Sequence, residues 1–407
     1  MGNKSKPEIQ FPGFIEEWEK RELRGFVQDY IERTVVQNQY PVLTSSQKRG
    51  IIYQEEYFAD RQITTQENIG YFVLPRGYFT FRSRSDNGVF KFNRNDLVDK
   101  GIISYFYPVF KIINGNSDFF LNMLNSTIKK QVALEAEGTG QKVLSLNKFK
   151  NINVVIPEIQ EQTQIGNFFK QLDDTITFYE QELTTLQQTK QGFLQKMFPK
   201  EGESVPEVRF PGFAGDWEQR SLKEVTKKIG SGKTPKGGSS NYKLQGIPLL
   251  RSQNIFNDKV NLLDVVYISE EVDEDMANSR VQQNDVLLNI TGASIGRSAV
   301  YEFETSANVN QHVSIIRPYE NVNPYFIQLN LTSGNGQNQI EFNQAGGGRE
   351  GLNFQQISKM KFYFPNLKEQ VRIAGFFKKL DQVISIHQRE LELLKQTQKA
   401  FLQKMFV

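Results

Sequence analysis

Apolar residues recur at alternating steps of four and three positions in two long segments of the chain. The first segment begins after Pro157 and the second after Pro365, and both lack proline and are rich in Gln, Glu, Lys and Leu. A heptad spacing sustained over about five heptads is typical of coiled-coil helices, not of helices that lie on a sheet. The pattern therefore predicts long helices at residues 158–198 and 366–407.

The predicted seams of these two helices are equivalent, position by position. The apolar seam residues are Ile165, Phe169, Leu172, Ile176, Leu183, Leu186 and Phe193 in the first helix, and Ile373, Phe377, Leu380, Ile384, Leu391, Leu394 and Phe401 in the second. Two seams in one chain most simply bury each other, and an approximate two-fold axis between the copies would make the pair antiparallel. Ile165 would then lie near Met405.

One polar residue interrupts each seam at the same place, Lys190 in the first helix and Gln398 in the second. A buried polar residue costs stability but favours one register, whereas the same residue at a frayed helix end would be solvated. The sequence leaves both interpretations open. His387, which occupies a seam position, is interpreted as a packed residue and not as a ligand.

The helices close the two copies of a tandem duplication. The sequence Phe-Leu-Gln-Lys-Met-Phe occupies residues 193–198 and again 401–406, and Phe-Pro-Gly-Phe occupies residues 11–14 and again 210–213. We call these matching ends the frame, and the divergent segments 22–157 and 221–365 the inserts. The predicted domains are 1–157, the helix 158–198, a linker 199–206, 207–365 and the helix 366–407. We also expect Phe11 and Phe14 to pack near the end of the second helix.

Each insert mixes short β-branched or aromatic runs with Gly, Asn and Asp turns, which predicts an α+β domain. The predicted fold class is therefore α+β, with two such domains in a pseudo-two-fold tandem repeat separated by two long antiparallel coiled-coil helices. A chain of 407 residues with 38% hydrophobic content has room for more than one core.

Composition removes several classes of function. The chain has no cysteine and only two histidines, so a structural zinc site or a cysteine nucleophile is not expected. It has no apolar run of about 18 residues and no signal-peptide pattern, which favours a cytoplasmic protein. The formal net charge of +3 is too small to indicate a nucleic-acid partner by itself, so the distribution of charge must decide.

The first insert carries a cluster of cations around a predicted hairpin at Asn87 and Gly88. Pairing outward from this turn places Arg84 opposite Lys91 and Arg82 opposite Asn93, with Phe79, Phe81, Phe90 and Phe92 on the opposite face. The candidate residues are Arg76, Arg82, Arg84, Lys91 and Arg94. Opposed like charges favour an anionic partner such as DNA phosphate or guanine edges; an ordinary solvated face is the alternative.

The second insert contains a tract without any acidic residue, from Val225 to Asn257. Its glycine-rich loops bring backbone amides and lysines together, an arrangement that suits phosphate. Residues 232–234 resemble the end of a Walker A loop, but Lys227 replaces the required first glycine and Pro235 follows at once. Asn323 and Pro324 are interpreted as a turn that opens a helix. We predict no catalytic residue and no metal site.

These features together resemble the DNA-specificity subunit of type I restriction-modification systems over essentially the whole chain. The resemblance is carried by Phe-Pro-Gly-Phe-x-x-x-Trp before each insert and by Gln-x-x-Ile-x-x-Phe-Phe at the start of each helix. Lys-Thr-Pro at 233–235, Gly-Ile-Pro-Leu-Leu-Arg-Ser at 246–252 and residues 285–297 carry it within the second insert. The first insert lacks counterparts of these last motifs, so no contact positions are transferred to it.

The resemblance implies that each insert is a target-recognition domain that reads one half of a bipartite DNA site, while the helices set the spacer. In the second insert the candidate DNA-contact residues are Lys233, Lys236, Lys243, Arg251, Ser252, Gln253, Asn254 and Arg297. The chain would be non-catalytic and would bind no cofactor. Two modification subunits would supply S-adenosylmethionine chemistry, and restriction subunits would use ATP and Mg.

Two other classes of protein stay open. A stand-alone DNA-modifying enzyme is disfavoured because no glycine-rich cofactor loop follows a strand. A coiled-coil scaffold without DNA specificity is disfavoured by the basic tracts in both inserts.

Overall fold

The computed structural model describes residues 6–58, 67–256, 258–344 and 351–406. These residues form two compact units. Unit 1 takes its described residues from Met1–Gln181 and Gln388–Val407, and unit 2 takes its own from Glu182–His387. Each unit therefore contains one insert together with parts of both long helices. Within the described ranges, no helix is both long and apolar enough to cross a membrane.

Unit 1 is built from short strands around an aromatic core. Its strands are β1 (Glu19–Glu22), β2 (Val27–Tyr30), β3 (Leu43–Ser46), β4 (Gly50–Tyr53), β5 (Phe72–Pro75), β6 (Phe79–Phe81), β7 (Arg84–Ser85), β8 (Phe92–Arg94), β9 (Lys100–Ile103), β10 (Val109–Ile112), β11 (Lys142–Val143) and β12 (Asn153–Ile156). Its helices are α1 (Gln54–Tyr57), α2 (Ser117–Ser126), α3 (Lys129–Glu135), α4 (Leu146–Lys150) and the first part of α5 (Ile159–Lys196).

The central sheet of unit 1 is antiparallel, in the order β2-β10-β6-β8, and the pairs β3-β4, β5-β9, β7-β11 and β1-β12 surround it. The phenylalanines predicted to share one face are all buried, and Phe81 and Phe92 contact the ring of Phe149 on α4. The apolar side of the predicted hairpin is therefore confirmed.

The predicted register of that hairpin is wrong. Asn93 lies opposite Thr80 and not opposite Arg82, and Arg84 pairs with Val143 of β11 instead of Lys91. Local hydrogen bonds explain the difference. The hydroxyl of Ser85 donates to the carbonyl of Val89 (2.8 Å), and the Asn87 side chain accepts from the Val89 amide (3.1 Å). The observed turn is longer than the predicted two-residue turn, and it includes residues that were expected to pair across the two strands.

Unit 2 contains two four-stranded sheets. Its strands are β13 (Glu218–Ser221), β14 (Thr226–Ser231), β15 (Ile247–Leu250), β16 (Val266–Ile268), β17 (Arg280–Val281), β18 (Val286–Asn289), β19 (Ser298–Val300), β20 (Ala307–Val309), β21 (Val313–Pro318) and β22 (Lys361–Phe364). Its helices are α6 (Leu222–Val225), α7 (Glu270–Asp275), α8 (Pro324–Thr332), α9 (Gly334–Gln344), α10 (Phe354–Lys359) and the first part of α11 (Leu367–Lys404).

The first sheet of unit 2 is antiparallel, in the order β14-β21-β18-β19, and the second has the order β16-β15-β20-β17 with a parallel pair, β15 and β20. The frame strands β13 and β22 pair as β1 and β12 do in unit 1. Both inserts are therefore α+β, as predicted, but their sheets differ.

Helices α5 and α11 contact each other in antiparallel fashion within each unit. In unit 1 the rings of Phe168 and Phe401 lie 5.1 Å apart, and in unit 2 those of Phe193 and Phe376 lie 5.0 Å apart. All predicted apolar seam residues are buried or half-buried. Ile165 belongs to the same core cluster as Met405, as the antiparallel arrangement required.

The frame closes on itself in the same way in each unit. In unit 1 the amide of Ile9 donates to the carbonyl of Lys404 (3.0 Å), and in unit 2 the amide of Val208 donates to that of Lys196 (2.9 Å). Phe11 contacts the ring of Phe168 at 5.7 Å. The segment that precedes each insert therefore packs at the end of a long helix. Phe11 packs as expected against the cluster that contains Met405 and Phe406, whereas the expected packing of Phe14 stays a prediction.

The glutamine in the motif at the start of each long helix has a structural role. Gln162 accepts from the amide of Asn116 (3.1 Å) and donates to the carbonyl of Pro157 (2.9 Å). Gln370 repeats both bonds with Asn323 (3.0 Å) and Pro365 (2.8 Å). Asn116 and Asn323 are the N-caps of α2 and α8, so the glutamines join a helix of the insert to the frame. The interpretation of Asn323 as a helix start is confirmed.

Candidate nucleic-acid interface

Unit 1 contains a groove of about 920 Å³ whose described lining residues include five cationic side chains and no carboxylate. The cations are Lys48, Arg49, Arg82, Arg84 and Lys91. Three of them are residues that the sequence predicted. The groove also exposes aromatic surface, because Tyr57, Phe58 and Phe106 line it.

Lys48 and Arg49, which the sequence prediction missed, lie in the turn between β3 and β4. Both backbone amides donate to the hydroxyl of Ser46, at 3.2 and 3.1 Å, which shapes the turn. The buried amide of Asn93 on β8 fastens this hairpin by donating to the hydroxyl of Ser45 (2.8 Å) and the carbonyl of Ser46 (2.9 Å). These long-range bonds hold the two cations at the groove. The only sequence signal is two adjacent cations in a turn.

Most cations of the groove form no ion pair. Within the part of the chain that the structure describes, only Arg49 does so, with Glu56 at 3.9 Å. Burial lowers the pKa of Lys91, and the ammonium group of Lys129 lowers it further. The guanidinium of Arg84 lies 4.8 Å from the ring centroid of Phe106. An anion with flat apolar faces, such as a nucleic acid, complements this combination of charge and aromatic surface.

Arg76 and Arg94, the other two predicted cations of the first insert, do not line the groove. Arg76 donates to the carboxylate of Asp99 at 3.0 Å. Arg94 is mostly buried and donates to Asp96 (2.8 Å) and Asp118 (2.7 Å). Burial by itself would lower the pKa of Arg94, but hydrogen bonds to these two carboxylates raise it. The positive charges of both arginines are thus balanced by carboxylates of the same chain.

In unit 2, hydrogen bonds bring together two of the predicted segments. The side-chain amide of Asn289 donates to the carbonyl of Ser252 (2.9 Å) and to the hydroxyl of Ser294 (3.1 Å). The loop after β15 and the loop after β18 therefore lie side by side. Asn289 is buried, so this connection is internal and fixed.

A third segment joins them through the turn between β20 and β21. The hydroxyl of Thr234 donates to the side chain of Gln311. Gln311 Nε2 lies 3.0 Å from His312 Nε2, and His312 Nδ1 lies 2.5 Å from the hydroxyl of Thr291. Gln311 and His312 thus connect the loop that contains Thr234 with the loop that contains Thr291, although the sequence prediction did not include them.

The glycine-rich loop before Thr234 has a packing function. A Cβ atom on Gly232 would lie 1.5 Å from the carbonyl oxygen of Val309. Only glycine permits this approach of the loop to β20. Gly232 thus has a packing role, and the interpretation that this loop does not bind a nucleotide stays a prediction.

The predicted contact residues of unit 2 divide into exposed and internally bonded groups. Lys236, Lys243 and Arg297 are exposed, and so is Lys233, which donates to the carbonyl of Asp275. The remaining polar residues are engaged within the loop that follows β15. Gln253 donates to the carboxylate of Asp264, and Arg251 donates to its carbonyl at 3.1 Å. Asn254 is buried and donates to two loop carbonyls, so it shapes the loop from inside.

The family model of the type I restriction modification DNA specificity domain matches residues 15–188 and again residues 214–396. The chain belongs to this family. Each match contains one insert with its flanking frame, so the predicted tandem of two specificity domains is confirmed. The family membership also agrees with the resemblance inferred from the repeated motifs.

Two curated relatives of the specificity-domain family come from Methanocaldococcus jannaschii. The type I restriction enzyme MjaVIII specificity subunit is 25% identical over 289 residues, which are 69% of this chain and 66% of that protein. The putative type I restriction enzyme MjaX specificity subunit is 24% identical over 67% of this chain and 62% of its own length. The chain thus spans slightly less than two thirds of both relatives.

Among solved structures, the type I restriction-modification S subunit from M. genitalium resembles this chain with a TM-score of 0.62. The match covers 99% of both chains at 12% sequence identity. At this identity the likeness supports the fold of the specificity-domain family and carries no information about individual contact residues.

Proposed function

We propose that this chain is the non-catalytic DNA sequence-recognition subunit of a type I restriction-modification complex. Each insert is a target-recognition domain that reads one half of a bipartite DNA site. The observation that carries this proposal is the groove of unit 1, where five cations converge and none of the described lining residues is a carboxylate. Arginine and lysine bind phosphates and the O6 and N7 atoms of guanine, which are the contacts that DNA recognition requires.

The two long helices provide a physical basis for a fixed spacer between the half-sites. Each contains 38 residues and is about 57 Å long at about 1.5 Å per residue. Two modules on one face of B-DNA need a separation of about 34–36 Å, one helical turn. We propose that the antiparallel coiled-coil pair sets this distance. Removing one heptad from α5 should then change the preferred spacer and leave both half-site sequences unchanged.

We further propose that the repeated frame binds two modification subunits. In unit 1 a cavity of about 960 Å³ is lined in part by the frame residues Trp18 and Gln162, and in unit 2 a smaller one of about 390 Å³ is lined in part by Arg209 and Gln370. Two surfaces at equivalent frame positions in one chain suit two copies of one partner. These modification subunits would bind and use S-adenosylmethionine, and restriction subunits would bind ATP and Mg. This chain itself would hold none of them.

Methylome sequencing of cells that carry the complete system tests the function. We expect adenine methylation at a single bipartite motif, which disappears when this subunit is deleted. Replacing unit 1's insert by that of another specificity subunit should change one half of the motif only. Methylation that is independent of this subunit would overturn the proposal.

Binding measurements separate the alternatives. DNA binding by the assembled complex should weaken steeply with salt, because cations that contact phosphates release counterions. Absent or salt-independent binding would favour a scaffold protein. Tight binding of S-adenosylmethionine by the isolated chain would favour a stand-alone modifying enzyme.

A further inference from the structure

The polar residue in the seam of α5 has contacts that its equivalent in α11 lacks. Lys190 is 13% exposed, and its ammonium group lies 2.7 Å from the carboxylate of Asp381 on α11. The same ammonium group donates to the carboxylate of Asp258, which belongs to the insert of unit 2. At the equivalent place in unit 1, Gln398 donates to Asp173 at 2.6 Å. Both polar seam residues therefore bond across the helix pair, but only Lys190 adds an ion pair to an insert.

Asp258 is itself firmly held. Its backbone has a left-handed conformation with φ of 70°, and its amide donates to the carbonyl of Ser298 on β19 (3.1 Å). Its second carboxylate oxygen accepts from the side chain of Gln328 on α8. Asp258 closely follows the loop at residues 251–256, which contains four of the predicted DNA-contact residues. The position of this loop is thus tied to the seam of the long helices.

The arrangement in unit 1 shows that the lysine is not required for helix pairing. A glutamine is sufficient at that position, because an amide makes the same bond to the carboxylate of the opposite helix. The insert of unit 1 does place a cation, Lys91, within electrostatic reach of Asp173, but these two side chains form no direct ion pair in the described structure. The register of the helices therefore does not account for the ion pair between Lys190 and Asp258.

The charge on Lys190 is essential to this junction. Burial by itself would lower the pKa of Lys190, but the carboxylates of Asp258 and Asp381 outweigh that effect and raise it. The lysine is therefore cationic between two acids. Without its charge, the ion pair between Lys190 and Asp258 is lost, and with it the bond that joins this part of the insert to α5.

We propose that Lys190 is a positioning residue for sequence recognition by unit 2, which holds the loop at residues 251–256 in place relative to the long helices. This inference rests on the proposed function. Lys190 does not contact DNA in this scheme. It sets the position of the loop's contact residues relative to the long helices when the complex is bound to its DNA site.

The test compares half-site discrimination in the complete complex with modification subunits. Lys190→Gln gives unit 2 the residue that unit 1 has at this place. We expect the ratio of Kd values for a mismatched and a correct second half-site to fall by about tenfold. The same ratio for the first half-site should stay within about twofold, because the loop lies in unit 2 alone.

Three matched variants locate the effect. Asp258→Asn should reproduce the loss, and the double variant with Lys190→Gln should lose little more, since both remove one interaction. Asp381→Asn removes only the bond to the opposite helix and should preserve discrimination at both half-sites. Gln398→Lys, the reciprocal change in unit 1, should also leave the second half-site unaffected. Equal losses at both half-sites, or unchanged discrimination with a lower Tm, would overturn the proposal.

Hydrogen exchange separates this inference from the proposed function. Lys190→Gln should raise the exchange rates of the amides of Asn254 and Ile255, which bond within the loop, by about tenfold without DNA. Faster exchange in a protein that does not discriminate DNA sequences would preserve the anchoring of the loop and reject the function. Unchanged exchange would reject the anchoring even if the wild-type complex is sequence-specific.

Discussion

The two copies of the frame share several equivalent contacts, whereas the two inserts have different sheets. Gln162 and Gln370 make the same pair of hydrogen bonds, and Ile9 and Val208 each donate to the carbonyl near the end of a long helix. Unit 1 has one four-stranded sheet with flanking strand pairs, and unit 2 has two four-stranded sheets. The packing of two long helices against each other limits how far the two copies of the frame can differ. Each insert shares an apolar core with the frame, as the contacts of the Phe119 ring with Trp18 and Phe406 show in unit 1.

The contrast extends to the way in which each insert presents its charge. Five cations of unit 1 line one groove, and the described residues of its lining include no carboxylate. In unit 2 the predicted contact residues lie on several loops that are bonded to one another through Asn289 and Gln311. A groove lined with cations suits phosphate or guanine, whereas loops rich in amides and hydroxyls suit more varied base edges. Divergent inserts on a constant frame are what a reader of two different half-sites needs.

The largest expected effect lies in the frame. Phe169 and Phe377 are equivalent seam residues, and both are fully buried. Phe169→Ala and Phe377→Ala should each lower the free energy of unfolding by about 3–5 kcal/mol, because each leaves a cavity in a packed core. Denaturant unfolding of the full chain measures this. Phe178→Ala, at a residue of α5 that is 57% exposed, is the control and should cost less than about 0.5 kcal/mol. A large difference between the two buried sites would contradict the equivalence of the copies.

The frame was predictable because its signal is both periodic and repeated. The long helices were predicted at 158–198 and 366–407 and are observed at Ile159–Lys196 and Leu367–Lys404. A heptad pattern depends only on the helix repeat, and the prolines at 157 and 365 mark where each helix can begin. The small differences lie at helix ends, which fray and depend on capping.

The groove of unit 1 could be predicted only in part, because it depends on contacts between distant residues. Arg82, Arg84 and Lys91 are close in sequence, so a local pattern found them. Lys48 and Arg49 reach the same groove because Asn93 fastens a hairpin that lies 48 positions away in the chain. A pair of cations in a turn looks like any solvated surface until that contact is known. The hairpin register failed for a related reason, since β7 pairs with β11 and not with its neighbour.

The next effect concerns the groove. Replacing Arg82 and Arg84 with Ala should weaken binding through the first half-site by about 1–3 kcal/mol per lost contact and leave preference at the second half-site unchanged. If both contact phosphates, the slope of log Kd against log salt should fall by about 2. Arg76→Ala is the matched control, because Arg76 bonds to Asp99 outside the groove. Altered preference at the second half-site would contradict the division of labour between the inserts.

Lys48 and Arg49 sharpen this comparison, because they reach the groove from a different hairpin. Their joint replacement with Ala should weaken the first half-site by a similar or smaller amount, since exposed phosphate contacts contribute less than bidentate contacts to bases. Competition binding with sites altered in one half at a time measures the effect. No change in affinity would remove the β3–β4 turn from the interface.

The smallest effect tests a difference in bonding between the two frames near their tryptophans. In unit 1 the buried carboxylate of Glu161 accepts from Trp18 and Gln10, both at 3.2 Å. In unit 2 Arg209 takes both oxygens of Glu369, at 2.6 and 2.7 Å, and the indole nitrogen of Trp217 has no partner in the described structure.

Trp18→Phe should therefore destabilise the chain more than Trp217→Phe, by about 1–2 kcal/mol, because only the first substitution removes a hydrogen bond to a carboxylate. The ring packing lost is similar, since each indole contacts two phenylalanine rings. Denaturant unfolding measures the difference. Gln10→Arg should give unit 1 the bonding of unit 2 and make Trp18→Phe nearly as mild as Trp217→Phe. If the difference persists in that background, its cause is ring packing, and the hydrogen bond to Glu161 contributes little to the frame.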